Sequence, residues 1–339
     1  MSWKRVCGHD AQIQGFARVV RNGRLAHAYL FAGTPGIGKK LFALELAKAL
    51  LCENPPSDRF EACDQCSGCL LVDADNHPDL HLVSRPEESL EVPIEVIREL
   101  CRNFSLKTAR GKGKVAILDD ADDLSEQSAN CFLKTLEEPP PGSVLVLIGS
   151  SADRQLATIR SRCQIVPFAP LPLDLVEKLL QEQGIKDDAL LKRIVRLSDG
   201  SPGQARELAE SELWTFRSKL LQSLASQPFD SWALARLWLQ FTEEAGKDAA
   251  VQRRRTTGVL KFLIMLFRDA ITVGYGASPQ SLDPEELTTA QRLSEKIGPD
   301  RLLLLIDRCL EADEQVERRV QLVLVIEALL DALAQKMRA

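Results

Sequence analysis

Short apolar runs alternate with amphipathic stretches along the first half of the chain. The runs predict buried strands, because a parallel sheet covered on both faces needs apolar residues at successive positions. The amphipathic stretches repeat their apolar residues at the three- and four-residue spacing of a helix. In chain order the predicted elements are helix 10–22, strand 29–32, helix 39–51, strand 80–83, a helix around 94–101, strand 115–118, helix 125–137, strand 144–148, a helix ending near 160 and strand 164–168.

After residue 168 the pattern is helical only. Short helices are predicted on either side of Gly200–Gly203, and longer amphipathic helices follow, with breaks near Pro228, Gly246, 274–284 and 298–300. Strands that alternate with helices indicate a parallel sheet with helices on both faces. We therefore predict three domains, an α/β core over 1–168, a small helical domain over 169–210 and an all-α domain over 211–339.

Length and charge narrow the classes of protein. The chain has 339 residues, which suffices for two or three domains, and a net charge of −5. A protein that holds DNA through its own phosphate contacts usually presents a basic surface, so the overall charge argues against that class. The run Arg253–Arg255 with Lys261 is more typical of a solvated helix face. We see neither a signal peptide nor an apolar run long enough for a membrane span, and expect a cytoplasmic protein.

A glycine-rich segment joins the second and third predicted elements. It has the G-x-x-x-x-G-K pattern of a phosphate-binding loop, in the strand–loop–helix context that makes this pattern credible. Glycines let backbone N–H groups point at phosphate oxygens, and the following helix adds its positive N-terminal dipole. The predicted contacts to ATP or ADP come from Gly33, Thr34, Pro35, Gly36, Ile37, Gly38, Lys39 and Lys40, together with Asp119 from a later strand end.

Two positions of this nucleotide site depart from the hydrolytic pattern. Lys40 stands where a Ser or Thr hydroxyl normally binds Mg²⁺, and a charged ammonium has no lone pair to offer a metal. Asp119 fits the acidic strand end that orients a metal-bound water. The next residue is Asp120, one methylene shorter than the glutamate that polarises the attacking water. A misplacement of about 1 Å costs on the order of 100-fold in rate. We expect nucleotide binding to survive and hydrolysis to suffer.

Four of the nine cysteines are grouped between the end of the predicted helix 39–51 and the predicted strand 80–83. Cys52, Cys63, Cys66 and Cys69 form a C-x10-C-x2-C-x2-C pattern. Four thiolates at such spacing suit tetrahedral Zn²⁺, and a site with four protein ligands is structural rather than catalytic. We predict a zinc module at about 52–70, with Cys52 closing a helix and the other three in a polar loop. An iron–sulfur cluster is the less favoured alternative.

These motifs together resemble the bacterial DNA polymerase III clamp-loader family. Five separate segments carry the resemblance in the right order. They are His27–Gly33, the phosphate loop with the four cysteines, Asn76–Asp79, Leu133–Pro140 with its sequence LKTLEEPP, and Ser161–Cys163. Beyond about residue 210 the resemblance rests on the helical pattern alone. It implies an AAA+ core, a helical lid over 169–210 and an oligomerisation collar over 211–339.

Within the family the chain looks like the delta-prime branch rather than the tau/gamma motors. The motors have an arginine that contacts the γ-phosphate at the position where this chain has Gly203. Arg206 lies one helical turn further on and could replace that arginine only in part. Arg162 is retained, and the resemblance gives it the role of an arginine finger that reaches the ATP of the neighbouring subunit. A planar, permanently charged guanidinium suits that role. The alternative for Arg162 is a surface residue that caps the preceding helix.

The resemblance therefore implies a stator of the clamp loader. Such a subunit helps to load the sliding clamp onto primer-template DNA, alongside tau/gamma and delta subunits. As part of the DNA polymerase III holoenzyme it would have little ATPase or polymerase activity of its own. Two alternatives remain from the residues, an active tau/gamma-like ATPase that uses Lys39 and Asp119, and a zinc-centred DNA-binding protein. The acidic composition around the cysteines speaks against the second.

Overall fold

The computed structural model describes residues 2–86, 89–226, 228–246, 248–279 and 283–338. The chain divides into two compact units, Met1–Ala205 and Arg206–Ala339. The separation of a lid over 169–210 from the core before it stays a prediction. No helix in the described ranges is both long enough and apolar enough to cross a bilayer.

The first unit is built on a five-stranded parallel sheet. Its strands are β1 (Ala28–Ala32), β2 (Leu80–Val83), β3 (Lys114–Leu118), β4 (Ser143–Gly149) and β5 (Gln164–Pro167). The spatial order is β2-β3-β4-β1-β5, and every neighbouring pair is parallel. All residues of β1, β3 and β4 are buried, and their sequences are apolar except for Lys114 and Ser143, the first residues of β3 and β4.

Helices cover both faces of this sheet, with α1 (Asp10–Arg21), α2 (Lys39–Leu51) and α3 (Ser67–Asp73) on one face and α4 (Ile94–Ser105), α5 (Glu126–Glu137) and α6 (Ala157–Arg160) on the other. The helices α7 (Leu173–Glu182), α8 (Asp188–Leu197) and α9 (Pro202–Glu207) follow β5, and 3₁₀ turns lie at Ser2–Arg5 and Ala121–Asp123. One core joins Phe31 of β1 to Phe42 of α2, and the other joins Leu30 to Phe132 of α5. Successive strand residues thus serve opposite cores.

The second unit is helical throughout its described residues. Its helices are α10 (Ser211–Ala225), α11 (Ser231–Glu243), α12 (Ala249–Gly274), α13 (Pro284–Ile297), α14 (Pro299–Glu317) and α15 (Leu322–Arg338). Asp230, Asp248 and Asp283 cap the starts of α11, α12 and α13 by accepting backbone N–H groups. Four of the breaks between these helices fall where the sequence predicts them, although residues 227, 247 and 280–282 lie outside the described ranges. The break at 318–321, between α14 and α15, was not predicted.

The predicted fold class is confirmed, with one local correction. Cys66, Cys69 and their neighbours do not form a loop, because α3 begins at Ser67 with Cys66 as its capping residue, and Cys69 lies inside the helix. The pattern near the cysteines is too short for a periodicity argument. The apolar residues Leu71 and Val72 were the available signal.

Candidate functional site

The phosphate loop leaves β1 and enters α2 through two glycines in left-handed backbone conformations. Gly36 has φ 79° and Gly38 has φ 101°. Side chains rarely adopt such angles, so glycine at these positions shapes the turn. Gly38 is followed directly by Lys39, the first residue of α2, whose side chain is buried. The predicted strand–loop–helix context of the loop is therefore present.

Lys39 bonds to its own loop. Its Nζ donates to the carbonyl oxygens of Gly33 and Thr34, the latter at 2.9 Å. Burial lowers the pKa of Lys39, and the charges of Asp119 and Asp122 partly oppose that effect. The ammonium is thus satisfied by backbone carbonyls of the segment that would cradle a phosphate. Lys39 Nζ could contact the phosphates of a nucleotide only after it breaks its hydrogen bonds to these carbonyls.

Lys40 forms an ion pair with Asp119. The distance from its Nζ to Asp119 Oδ2 is 3.1 Å. The Lys40 side chain is 56% exposed and that of Asp119 is 23% exposed, so the pair is open to solvent on one side. The carboxylate that would orient a metal-bound water therefore already has a cation of the chain beside it. Sequence reasoning excluded Lys40 as a metal ligand but did not foresee this pairing.

Asp120 is held in a different way. It has a left-handed backbone conformation with φ 56°, and its Oδ2 accepts the backbone N–H of Arg85 at 3.4 Å. Burial, together with the neighbouring charges of Asp119 and Asp123, raises the pKa of Asp120. The carboxyl group expected at the position of the water-polarising glutamate is thus tied to the backbone after β2.

A cavity of about 400 Å³ lies over these groups. The phosphate loop forms one wall, and the ends of β3 and β4 form the other. Asp122 accepts the backbone N–H of Ser150 at 2.6 Å, which fixes the β4 end of the cavity. Six of the nine predicted contact residues line it, namely Pro35, Gly36, Gly38, Lys39, Lys40 and Asp119, whereas Gly33, Thr34 and Ile37 do not. The cavity thus combines two lysines with three carboxylates, since Asp120 and Asp122 also line it.

Three residues hold the loop from outside, through contacts that the sequence did not predict. His9 Nε2 donates to the carbonyl of Ile37 at 2.8 Å, since a carbonyl can only accept. Ser201 Oγ donates to the carbonyl of Pro35 at 2.8 Å. The backbone N–H of Gly203 donates to the carbonyl of Gly36 at 3.0 Å. The partners lie 28 and 166 residues apart in the two side-chain bonds, and no local pattern encodes them.

Close contact with Gly36 explains why position 203 has no side chain. A Cβ added to Gly203 would lie 2.7 Å from Gly36 Cα and 3.0 Å from its carbonyl oxygen. Two glycines therefore permit a direct contact of two backbones. The motor subunits are expected to have an arginine at this position. In this chain the position is Gly203, near the start of α9, and its backbone lies against the phosphate loop.

Arg162 follows α6 and precedes β5. Its Nε donates to Glu137 Oε1 at 2.8 Å, and its Nη2 donates to the same oxygen. Its Nη1 donates to the carbonyl of Thr158 at 2.9 Å and to Ser161 Oγ at 3.2 Å. The bond to Thr158 caps the end of α6, which was the alternative interpretation of this residue. The side chain is 34% exposed.

The four cysteines converge as predicted. Their sulfurs all lie within 4.8 Å of one another. The pairs Cys52–Cys66 and Cys63–Cys69 are 3.9 Å apart and Cys66–Cys69 is 3.4 Å apart. A regular tetrahedron with metal–sulfur bonds of 2.3 Å has edges of about 3.8 Å. The sulfur arrangement therefore fits a tetrahedral metal ion.

Backbone groups favour the thiolate form of Cys66, whereas burial raises the pKa values of Cys52 and Cys69. Cys66 Sγ accepts the N–H groups of Cys69 and Glu53, each at 3.4 Å. Although burial acts against them, these N–H groups lower the pKa of Cys66 to about 6. His77 and His81 lie outside the cluster, and burial lowers the pKa of each. His77 is buried and the ring of His81 lies against that of Phe104, so both are packing residues.

The cysteine cluster is joined to α2 by a buried lysine. Lys48 Nζ lies 3.0 Å from Asp64, 3.1 Å from Asp73 and 3.2 Å from Glu45. Asp64 follows Cys63, and Asp73 ends α3. Loss of order in the cysteine module would therefore leave Lys48 short of two partners.

The basic run in the second unit is not a free patch. Arg255 is buried, its Nε donates to Glu210 at 2.7 Å, and its guanidinium lies 4.8 Å from the ring centroid of Phe241. Lys261 lies 3.8 Å from Glu207. Only Arg254 of the run is exposed. A DNA-binding role for this run therefore loses its basis.

Comparisons with known proteins give the family. Residues 8–172 match the family model described as "DNA polymerase III, delta subunit", and residues 211–334 match "DNA polymerase III, delta subunit, C terminal". The chain is 31% identical over 296 residues to DNA polymerase III subunit delta' of Escherichia coli, which covers 87% of this chain and 84% of the relative. It is 32% identical over 324 residues to that of Pseudomonas aeruginosa, with 90% of each covered.

The motor branch matches only in part. The chain is 32% identical over 213 residues to DNA polymerase III subunit tau of Salmonella typhimurium, which covers 61% of this chain and 32% of that protein. The delta' relatives thus match 87–90% of the chain, whereas tau matches 61% of it. The family that the motifs indicated is confirmed, and the chain belongs to the delta-prime subunit family of DNA polymerase III.

Proposed function

We propose that this chain is a clamp-loader subunit that supplies Arg162 to the ATP of a neighbouring motor subunit and hydrolyses no ATP itself. It would work beside tau/gamma and delta subunits when the sliding clamp is loaded onto primed DNA. The observation that carries the proposal is the ion pair between Lys40 and Asp119, at 3.1 Å. A site whose metal-directing acid already has a lysine beside it is poorly built for metal-assisted hydrolysis.

The surroundings of the loop support the same conclusion. Lys39 donates to two carbonyls of its own loop, and Gly203 lies against Gly36 where the motor branch is expected to have an arginine. Nucleotide binding through the backbone N–H groups remains feasible, because the left-handed glycines keep the cradle. Bound nucleotide would then stabilise this fold without being turned over.

Support for Arg162 in trans is its chemistry and its accessibility. A guanidinium is charged at any physiological pH and forms paired hydrogen bonds with phosphate oxygens. In other P-loop enzymes such an arginine contributes about 10³–10⁵ in rate. The residue is 34% exposed in the isolated chain, so a neighbouring subunit can reach it.

We further propose that Cys52, Cys63, Cys66 and Cys69 hold a structural Zn²⁺. The near-tetrahedral sulfur positions support this metal, and the two backbone N–H bonds to Cys66 Sγ would offset part of the negative charge of the thiolates. With four protein ligands the ion would supply order rather than chemistry.

The test is ATP turnover by the full complex reconstituted from this chain and its own partner subunits. Arg162→Ala should lower DNA-stimulated turnover and clamp loading, whereas the purified chain alone should show no magnesium-dependent hydrolysis. Unchanged turnover of the Arg162→Ala complex would exclude the finger role. Magnesium-dependent turnover by the purified chain, lost on Lys39→Ala, would point to an active motor instead.

A further inference from the structure

The LKTLEEPP segment ends α5 with a carboxylate that contacts the proposed finger. Glu137 is the last residue of α5, and its Oε1 accepts from both Nε and Nη2 of Arg162. The two residues are 25 positions apart in sequence. The contact therefore depends on the fold, which brings the end of α5 to the turn between α6 and β5.

The hydrogen bonds of Arg162 leave it little capacity for another anion. A guanidinium has five N–H donors. Two of them point to Glu137, and Nη1 donates to Thr158 and Ser161. A phosphate oxygen pair needs two parallel donors for a bidentate contact. In this arrangement Arg162 can offer such a pair only after it gives up its bonds to Glu137 or those to Thr158 and Ser161.

The charge of Glu137 acts in the same direction. A carboxylate beside the guanidinium cancels its field, which would otherwise attract a triphosphate from a distance. The pair is solvent-accessible, because 34% of the Arg162 side chain and 49% of the Glu137 side chain are exposed. Exposed ion pairs contribute little to folding, so stability of the fold gives no strong reason for this pair.

We propose that Glu137 is a positioning residue that withholds Arg162 until the triphosphate of the neighbouring subunit displaces it. This inference rests on the proposed role of Arg162 in trans. The triphosphate carries several negative charges against one on Glu137, so it can win the guanidinium once the two subunits close. Glu137 would thereby set the ATP concentration at which the neighbouring site becomes active, and suppress turnover in the open assembly.

The experiment measures steady-state ATP turnover by the full reconstituted complex, with and without primed DNA and clamp. It compares the unchanged chain with Glu137→Gln, Arg162→Ala and the double variant. The matched control is Glu138→Gln, because Glu138 is exposed and adjacent but takes no part in the recorded contacts of Arg162. Melting temperatures of all variants verify that the fold is retained.

Glu137→Gln should lower KM for ATP and raise turnover without DNA by about 1.5- to 5-fold, the range for an exposed ion pair. The value of kcat with DNA and clamp should stay the same. The effect should vanish in the Arg162→Ala background and shrink as salt is raised, because salt screens the pair. Glu138→Gln should change neither constant.

Three results would overturn the inference while leaving the finger role intact, provided that Arg162→Ala alone lowers turnover. They are a Glu137→Gln complex that matches the unchanged one, one whose kcat falls as it does for Arg162→Ala, and an effect that persists in the Arg162→Ala background. If Arg162→Ala alone left turnover unchanged, the proposed function itself would fail.

Discussion

The pair between Lys40 and Asp119 leads to a prediction about magnesium. Nucleotide binding to ordinary P-loop proteins is assisted by Mg²⁺, which a loop hydroxyl and a strand-end aspartate help to hold. In this chain an ammonium takes the place of the hydroxyl and lies 3.1 Å from the aspartate. We therefore expect that Mg²⁺ does not tighten binding of ADP or ATP to the unchanged chain. In the Lys40→Thr variant, Mg²⁺ should tighten binding.

The magnitude follows from the distance and the exposure of the pair. Two unit charges 3.1 Å apart attract each other by about 1.3 kcal/mol in water and about 5 kcal/mol at an effective dielectric of 20. Because Lys40 is more than half exposed, the lower end applies, and measured pairs of this kind contribute about 0.2–1 kcal/mol. The Lys40→Thr substitution releases Asp119 and adds a hydroxyl ligand for the metal. Mg²⁺ should therefore raise the affinity of this variant for ADP or ATP by at least about fivefold.

The assay is equilibrium binding of fluorescent ADP to the full chain, with magnesium omitted rather than chelated so that the cysteine cluster is undisturbed. Lys40→Met is the matched control, since it removes the ammonium but supplies no oxygen. It should show less magnesium-dependent tightening than Lys40→Thr. A tenfold tightening by Mg²⁺ in the unchanged chain would refute the reasoning, as would equal behaviour of the Thr and Met variants.

Three further predictions concern stability. Gly203→Ala should lower the free energy of unfolding by about 1–3 kcal/mol in a denaturant titration, because its Cβ would meet Gly36, whereas Gly15→Ala, with open space around it, should not destabilise. Burial lowers the pKa of His9, so the unfolded chain binds more protons below pH 6.5; stability should therefore fall as pH drops through about 6.5, and less steeply in His9→Gln. A pH dependence of melting temperature that is the same in both chains would contradict this account of His9. Zinc removal should cost about 3 kcal/mol or more and lower the melting temperature by about 6–12 °C, and Cys66→Ser should do the same, unlike Cys7→Ser outside the cluster. One zinc per chain by elemental analysis is expected, and a metal-free chain of unchanged stability would exclude the module.

The sequence predicted the elements of the fold because strands and helices here carry unmixed periodic signals. Strands β1, β3 and β4 are apolar at nearly every position and buried throughout. The helix α3 was missed because seven residues around two cysteines give no readable period. In the second unit, helix boundaries were predictable near Pro228 and Gly246, residues that interrupt the helical pattern.

The candidate site was predictable in composition but not in pairing. The residue types at positions 40 and 120 already indicated a weakened hydrolytic site. That Lys40 meets Asp119 depends on strand order, because β4 lies between β1 and β3. The contacts of His9, Ser201 and Gly203 with the loop join segments far apart in the chain, and the sequence contains no complementary pattern for them. The sequence places Glu137 in the LKTLEEPP motif but does not indicate its contact with Arg162.

The central claim is that this chain supplies Arg162 for ATP hydrolysis in the neighbouring subunit and does not hydrolyse ATP at its own phosphate loop. The most direct measurement compares two variants in the same reconstituted complex, Arg162→Ala and Asp119→Asn, by DNA-stimulated ATP turnover. Asp119→Asn removes the acid of the chain's own site without a change in size. We predict that Arg162→Ala abolishes the turnover of the adjoining site and that Asp119→Asn leaves total turnover within about twofold. Loss of turnover in Asp119→Asn, with Arg162→Ala unaffected, would contradict the account.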